Sequence, residues 1–375
     1  MRKVLSMFMA CAIAAAAVAG CSSSSGNSGG ETATVVETTA DETEVAETTA
    51  TQAEETASPD AVEEETEAQE TDSSSNTATL SVGSMKGPTT IGLVSLMDKA
   101  DKGEAEGSYE FTMVTAADEL VAKVVSGQVD IALVPANMAS ILYQKTNQGI
   151  QVLNINTLGV LYVVTADDSI QSIGDLKGKT VYMTGKGTTP DYAFQYLMSA
   201  NGLGEGDVTV EYKSEATEVA ALLKEQPDAI GLLPQPFVTV AMAQNESLKM
   251  VLNLTEEWDK VQSGDSGSLV TGVTVCRKEV LEEKAEAVEV FMREHGESAD
   301  TVNSDVAAAA ELVAAVGIIE KAPIAQKAIP YCSIVCVEGD EMKTMLSGYL
   351  RVLYDQDPSS VGGALPDEGF YFLQP

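Results

Sequence analysis

Two short loops carry the residues best suited to hold a small molecule. The first reads Lys-Gly-Pro-Thr-Thr at 86–90, and the second reads Thr-Gly-Lys-Gly-Thr-Thr at 184–189. Glycine lets the backbone approach a ligand closely, and a threonine hydroxyl donates or accepts a hydrogen bond without carrying a charge. The residues offered to a ligand are Lys86, Gly87, Pro88, Thr89 and Thr90 in the first loop, and Thr184, Gly185, Lys186, Gly187, Thr188 and Thr189 in the second.

Each loop joins a predicted strand to a predicted helix. The strands are 80–84 and 180–184, and apolar periodicity predicts helices from 91 onward and at 191–200. A helix N-terminus has unpaired N–H groups and a positive dipole end, which favour anions or carbonyl-type acceptors. We therefore expect the loops to face each other across one cleft, with amide hydrogens pointing into it. The alternative is that both lysines face solvent and that Thr89 or Thr189 only caps a helix.

Three more side chains are candidates for the same cleft. Asn137 and Gln235 each follow an apolar strand that ends in a proline, and a neutral amide there could hold a polar ligand of either charge. Tyr162 lies in a long apolar stretch at 156–165, where its ring could stack on a ligand. The alternatives are a capping or turn role for the two amides, and a core position for the tyrosine.

The elements around these residues are arranged as a repeat. Segments 80–84, 109–115 and 130–135 are predicted strands in the first half, and 180–184, 208–212 and 228–234 are predicted strands in the second. Helical patterns separate them, so we expect an α/β protein with mostly parallel sheets flanked by helices. The stretches 156–165 and 268–276 are long enough to cross between two lobes, and the mainly helical chain after 278 would pack back onto the first lobe.

Catalytic and metal-binding patterns find little support in the sequence. The single histidine, His295, is expected at the end of a charged helix, and it has no cysteine or carboxylate at metal-ligand spacing. Cys276, Cys332 and Cys336 are expected to be buried free thiols, and Trp258 a surface anchor. We therefore expect no enzyme, no cofactor and no metal.

The N-terminal segments predict the compartment. Residues 1–21 combine a basic start, a short apolar run and the sequence Val-Ala-Gly-Cys, which is typical of a bacterial lipoprotein signal whose Cys21 receives lipid such as palmitate. Residues 22–78 are rich in Ser, Thr, Ala and Glu and predict a disordered acidic spacer. The net charge of −35 makes nucleic acid an unsuitable partner. The predicted domains are the signal at 1–21, the spacer at 22–78, the first part of lobe one at 79–165, lobe two at 166–270, and the return crossing with its helices at 271–375.

The motifs resemble those of a known group of proteins. The segments at 127–135, 173–181, 232–236 and 361–367, together with the lipoprotein signal, are similar to substrate-binding proteins of ABC importers in the nitrate/sulfonate/taurine, THI5-like group. The resemblance covers nearly all of 79–375. It implies a two-lobed type II periplasmic-binding fold with two interlobe crossings, in which the loops at 86–90 and 184–189 meet the ligand and the lobes close on it.

The resemblance also implies a function. The chain would be a monomeric, lipid-anchored extracytoplasmic receptor that captures a sulfonate, a nitrate-like anion or a pyrimidine-type heterocycle and delivers it to an ABC permease in the membrane. One alternative is a surface sensor or adhesin with the same cleft. Another is a THI5-like enzyme, although such enzymes work inside cells and His295 lies outside both loops.

Overall fold

The computed structural model describes residues 78–262 and 268–373. The predicted signal, Cys21 and the acidic spacer up to residue 77 lie outside the described residues, as does the segment at 263–267. Within the described part of the chain, no helix has the length and apolar character needed to cross a membrane.

The strands and helices alternate through most of the chain. The strands are β1 (Leu80–Met85), β2 (Tyr109–Val114), β3 (Ile131–Pro135), β4 (Ile150–Thr157), β5 (Leu161–Thr165), β6 (Thr180–Met183), β7 (Thr209–Tyr212), β8 (Ile230–Pro234), β9 (Lys249–Asn253), β10 (Gly272–Arg277) and β11 (Ile334–Val337). The helices are α1 (Pro88–Ile91), α2 (Val94–Asp101), α3 (Ala117–Val125), α4 (Ala136–Lys145), α5 (Thr189–Ala200), α6 (Ala216–Glu225), α7 (Phe237–Gln244), α8 (Leu254–Val261), α9 (Lys278–Glu283), α10 (Ala285–Ser304), α11 (Val306–Ala315), α12 (Ala322–Ala328) and α13 (Gly339–Gln356).

The strands form two sheets with the same plan. The first has the order β11-β4-β10-β3-β1-β2, and the second has the order β7-β6-β8-β5-β9. In each sheet the first strand of the repeat lies between two parallel neighbours, β1 between β2 and β3, and β6 between β7 and β8. The predicted repeat is therefore present as matching topology in two α/β lobes.

The sheets are mixed rather than mostly parallel. β10 is antiparallel to both β3 and β4, and β5 is antiparallel to both β8 and β9. Each of these strands enters its sheet directly after the chain has crossed from the other lobe, so it runs against its neighbours. Periodicity shows that a segment is a strand, whereas its direction depends on a partner far away in sequence.

The first crossing is shorter than the sequence predicted. The apolar stretch at 156–165 contains the end of β4 and all of β5, and only residues 158–160 lie between the two sheets. Because β5 pairs with β8 and β9, the first lobe ends near residue 157 and not at 165. The apolar stretch at 156–165 therefore contains parts of two buried strands that belong to different lobes.

The C-terminal helices pack on lobe one and also reach lobe two. Tyr349 of α13 is fully buried and lies against Trp258 of α8, with ring centroids 5.6 Å apart. Trp258 also packs on Tyr196 of α5, at a centroid distance of 4.8 Å. The expectation that Trp258 is a surface anchor is wrong, because α13 covers it and leaves it 0% exposed.

Candidate functional site

The first loop leaves β1 and turns at once into the short helix α1. Gly87 has φ of +149°, a value that residues with a Cβ rarely adopt. The Thr89 hydroxyl donates to the Met85 carbonyl at 3.1 Å, and the buried Thr90 hydroxyl donates to Ser84 Oγ at 2.8 Å. The two threonines therefore brace the loop against β1, while Lys86 is exposed.

The second loop is braced by a carboxylate from its own helix. Gly185 and Gly187 both have positive φ, at +79° and +72°, and the Thr188 hydroxyl donates to the Gly185 carbonyl at 2.6 Å. Asp191, in the first turn of α5, accepts the Gly187 N–H at 2.8 Å. We expected this N–H to point into the cleft, but the carboxylate takes it instead because negative charge is favourable at a helix N-terminus.

Asp191 is itself enclosed by neutral donors. It is 3% exposed, and its Oδ1 accepts hydrogen bonds from Tyr212 Oη and Gln195 Nε2, both at 2.6 Å. Burial, followed by the hydrogen bond to Asp191, raises the pKa of Tyr212 above its ordinary value. Lys186 is exposed, and its Nζ lies 5.4 Å from the centroid of the Tyr212 ring. This cation–π contact draws the lysine toward β7.

Asn137 joins the second loop to lobe one. It lies in the first turn of α4 and is 0% exposed. Its Nδ2 donates to the Gly187 carbonyl at 3.2 Å and to the Ser360 carbonyl at 3.1 Å, and its Oδ1 accepts from the Thr189 hydroxyl at 3.5 Å. The predicted cleft residue Asn137 thus contacts the predicted loop of the other lobe, which brings these two parts of the candidate site together.

The first loop rests on the strands that lead to and from the crossings. A Cβ on Gly272 would lie 2.7 Å from Thr89 Cγ2 and 2.6 Å from Asn156 Oδ1. Asn156 donates to Thr274 Oγ1 at 3.1 Å and accepts from Thr157 Oγ1 at 2.9 Å, so a buried polar row lies beneath the loop. We did not predict this row, although an asparagine within an otherwise apolar strand is a signal that could have shown it.

Gln235 and Tyr162 are less available than expected. Gln235 is fully buried, and its Oε1 accepts from Thr239 Oγ1 at 2.9 Å, so its amide helps to begin α7. Tyr162 is 8% exposed and belongs to a core cluster of lobe two. Burial raises the pKa of Tyr162, with smaller contributions from Cys332, Glu256 and Tyr331. Two of those neighbours precede β11, so the tyrosine lies near the junction of the lobes.

The described residues offer no metal centre. No cluster of three or more His, Cys, Asp or Glu side chains in 78–262 and 268–373 could hold a metal ion. The three cysteines of this part are free thiols, as expected, although Cys336 is only partly buried. Burial raises the pKa of Cys336 to about 12, which makes it a poor nucleophile.

The sequence predicted His295 at the end of a helix, and this prediction is wrong. α10 continues to Ser304, and His295 is fully buried in its middle, with Nδ1 3.3 Å from Asn154 Nδ2. Burial lowers the pKa of His295 to about 4. The side chain is therefore neutral near pH 7 and is enclosed within lobe one.

A surface depression of about 570 Å³ lies elsewhere on lobe two. Its lining includes Lys179, Thr180 and Ile230, at the amino-terminal ends of β6 and β8. The second loop follows the carboxyl end of β6, so this depression is at the other end of the sheet and takes no part in the candidate site.

Two α/β lobes of matching topology, joined by two crossings and each carrying a loop after the first strand of its repeat, define a two-lobed periplasmic-binding fold. A comparison with protein families places the chain more narrowly. The chain belongs to the NMT1/THI5-like family, which matches residues 110–305. No curated protein sequence matches the chain significantly.

Solved structures are similar to the chain in fold. An ABC transporter protein from Parabacteroides distasonis has 21% identity and a TM-score of 0.66, covering 79% of this chain and 99% of that one. The aliphatic sulphonate-binding protein SsuA from Escherichia coli has 15% identity and a TM-score of 0.62, covering 79% and 92%. The alkanesulfonate-binding protein SsuA from Xanthomonas axonopodis pv. citri, bound to MOPS, has 15% identity and a TM-score of 0.59, covering 77% and 95%.

Proposed function

We propose that this protein is the solute-binding receptor of an ABC importer and captures a small polar molecule between its two lobes. The observation that carries the proposal is the buried Asn137 amide of lobe one, which binds the Gly187 carbonyl of the second loop. This contact puts a candidate ligand loop at the junction of the lobes, where closure can enclose a solute. The family and the similarity to transport-associated binding proteins support the same function.

The proposed ligand contacts come from both lobes. Lobe one contributes Asn137 and the loop at 86–90, and lobe two contributes Tyr162 and the loop at 184–189. The amide of Gln235 is already engaged with Thr239, so we assign it to the support of α7. A ligand that touches both lobes only in the closed form would shift the equilibrium toward closure by its differential affinity.

We further propose that the receptor is held at the outer face of the cell membrane. Lipid on Cys21 would anchor it, and the acidic segment at 22–78 would act as an extended tether to lobe one. The partner would be a membrane permease that receives the solute from the closed receptor. The receptor itself would act as a monomer, since each copy carries both halves of the cleft.

A binding role is favoured over catalysis by the position of the histidine. His295 is the one histidine of the sequence, and it is fully buried in α10 of lobe one. A general acid or base must come within hydrogen-bonding reach of its substrate. The imidazole of His295 is fully buried, so a ligand between the lobes cannot contact it in this structure.

Native mass spectrometry of the full chain, purified from its host without unfolding, tests the proposed function. We expect a co-purified small molecule that is released on denaturation, and we expect the same compound to raise the melting temperature when added back, because it binds the folded state alone. A chain that retains no compound, and whose melting temperature no solute raises, would contradict a receptor role. Conversion of the bound compound to a product would favour an enzyme instead.

A further inference from the structure

The first crossing, residues 158–160, is tied to lobe one at its start. The Leu158 N–H donates to the Ser333 carbonyl at 3.0 Å, and the Ser333 hydroxyl donates to the Gly159 carbonyl at 2.8 Å. Ser333 lies directly before β11, the edge strand of the first sheet. The backbone of the crossing is therefore held to lobe one as far as the Gly159 carbonyl.

Ser333 makes these contacts in an uncommon backbone conformation. Its φ is +46°, in the left-handed region that residues with a Cβ rarely adopt. Such a conformation persists where the surroundings determine it, and it often marks a functional segment. Both the carbonyl and the hydroxyl of Ser333 bond to the crossing, so this conformation serves the connection between β11 and the crossing.

The end of the crossing is tied to lobe two. The Val160 carbonyl accepts the Gln235 N–H at 2.9 Å, and Gln235 directly follows β8. The next residue, Leu161, begins β5 and pairs with Pro234 of β8. One carbonyl is thus held by lobe one and the next by lobe two. Because a peptide unit is planar, the backbone torsions between these two carbonyls are the φ and ψ of Val160.

Gly159 also meets lobe two through Thr255, the second residue of α8. A Cβ on Gly159 would lie 1.8 Å from Thr255 Oγ1 and 3.0 Å from Thr255 Cβ, so a larger residue would displace Thr255. Thr255 Oγ1 is buried and has no hydrogen-bond partner among the described residues. The contact between Gly159 and Thr255 is therefore steric rather than polar.

We propose that the first crossing turns at Val160 when the lobes move, and that the contact between Gly159 and Thr255 sets the angle at which the lobes stop. Hinges are a few residues that absorb backbone rotation. Gly159 stays with lobe one through Ser333, whereas Thr255 moves with lobe two, so their contact limits the motion. The inference goes beyond the proposed function, because it concerns the motion of the lobes and not the solute between them.

The variant Gly159→Ala tests the stop, because its Cβ would push Thr255 and with it lobe two. A displaced lobe two loses the contact of its Gly187 carbonyl with Asn137 of lobe one. We therefore expect a larger radius of gyration than in the wild type, measured by small-angle X-ray scattering of the purified full chain. The melting temperature is recorded for the same samples.

A second substitution on the other side of the contact should reverse the effect. Thr255→Ala removes the atom that lies 1.8 Å from the new Cβ, and it breaks no hydrogen bond of the described residues. Gly159→Ala combined with Thr255→Ala should therefore recover most of the wild-type radius, and Thr255→Ala alone should behave as the wild type.

Gly107→Ala is the matched control for a clash within one lobe. Its Cβ would lie 2.1 Å from Tyr109 Oη, and both residues belong to lobe one. Overpacking of this kind destabilises a protein, so we expect a lower melting temperature. The radius of gyration should stay at the wild-type value, because the angle between the lobes does not depend on this contact.

Three results would overturn the inference: a wild-type radius in Gly159→Ala, an increase that Thr255→Ala does not reduce, or an equal increase in Gly107→Ala. Should Gly159→Ala fail to fold, Thr255→Leu adds bulk to the same contact from lobe two and is judged by the same radius. None of these measurements needs a bound solute. The receptor function is therefore tested separately, by the compound that native mass spectrometry finds on the chain.

Discussion

The Nδ2 atom of Asn137 donates to the carbonyl oxygen of Gly187 at 3.2 Å, and these two residues belong to different lobes. The same amide donates to the Ser360 carbonyl at 3.1 Å, so one buried side chain joins α4, the second loop and the C-terminal segment. An interlobe hydrogen bond that is buried and shared in this way can favour the closed arrangement. Its removal should therefore affect both stability and ligand binding.

We expect Asn137→Ala to lower the free energy of unfolding by about 1–3 kcal/mol, because it leaves the buried Ser360 carbonyl and the partly buried Gly187 carbonyl without their donor. Ligand affinity should fall as well, since the closed form loses an interlobe contact. Urea denaturation and calorimetric titration with the co-purified ligand measure the two effects. Gln144→Ala is the control, because Gln144 of α4 also donates to the C-terminal segment, at Ala364, but at an exposed site. Equal losses in both variants would argue against a special role for Asn137.

Gly272 lies where β10 enters lobe one, in contact with the first loop. We expect Gly272→Ala to displace Thr89, because the new Cβ would lie 2.7 Å from Thr89 Cγ2 and 2.6 Å from Asn156 Oδ1. Overpacking of this kind costs about 1–3 kcal/mol, and the shifted loop should also weaken ligand binding. Gly174→Ala is the control, because its nearest neighbouring atom would be 3.6 Å away. Wild-type affinity in Gly272→Ala would show that the first loop does not touch the ligand.

Asp130 forms ion pairs at the end of lobe one that lies opposite the first loop. It accepts hydrogen bonds from Arg277 Nη2 at 2.9 Å and Lys284 Nζ at 2.8 Å, and its side chain is 7% exposed. Burial alone would raise the pKa of Asp130, but hydrogen bonds from Lys284, Ser81 N–H and Arg277 outweigh it and lower the pKa. Asp130→Asn should therefore destabilise the fold by about 2–4 kcal/mol, since two cations lose their partner.

Asp228 provides the control for Asp130, because it begins the corresponding proline-stopped segment of the second sequence repeat. The structure leaves Asp228 exposed, so Asp228→Asn should change the free energy of unfolding by less than about 0.5 kcal/mol. Urea denaturation of both variants at neutral pH measures the difference. Equal effects would mean that the ion pairs of Asp130 add nothing to stability.

The two aspartates differ in their partners, whereas the lobes that carry them share a topology that the sequence could predict. Strands that end in proline and alternate with helices predicted both lobes, and the repeat predicted their shared topology. The partners of a side chain were not predictable. Arg277 and Lys284 pair with Asp130 of lobe one, although they follow the whole of lobe two in the sequence. Asp228 is exposed, and it lies two residues before β8, whereas Asp130 lies directly before β3.

The candidate site was predictable in part for the same reason. The loops at 86–90 and 184–189 occupy the ends of β1 and β6, as the strand–loop–helix pattern predicted. The pattern could not show that Asp191 would turn back onto Gly187, since a carboxylate in a first helical turn is also common at exposed sites. That the two loops face each other across one gap, with a ligand between them, stays a prediction.

His295 makes the stability of the fold depend on pH. Its folded pKa is lowered to about 4 by burial, whereas an unfolded histidine titrates near 6.5. The unfolded chain therefore binds the proton more tightly, so this contribution to stability is complete above about pH 6.5 and is lost as the pH falls toward 4. The loss should be on the order of 3 kcal/mol by pH 4.

The variant His295→Gln isolates this contribution, because it keeps a polar side chain that does not titrate. Urea denaturation from pH 7 to pH 4 should show the wild type losing more stability than the variant, whereas the carboxylates that titrate in both proteins cancel in the difference. NMR offers a direct reading, because the sequence contains a single histidine and its imidazole signal is unambiguous. Parallel stability curves, or an imidazole that titrates near pH 6.5 in the folded chain, would show that lobe one admits solvent or a counter-charge to this side chain.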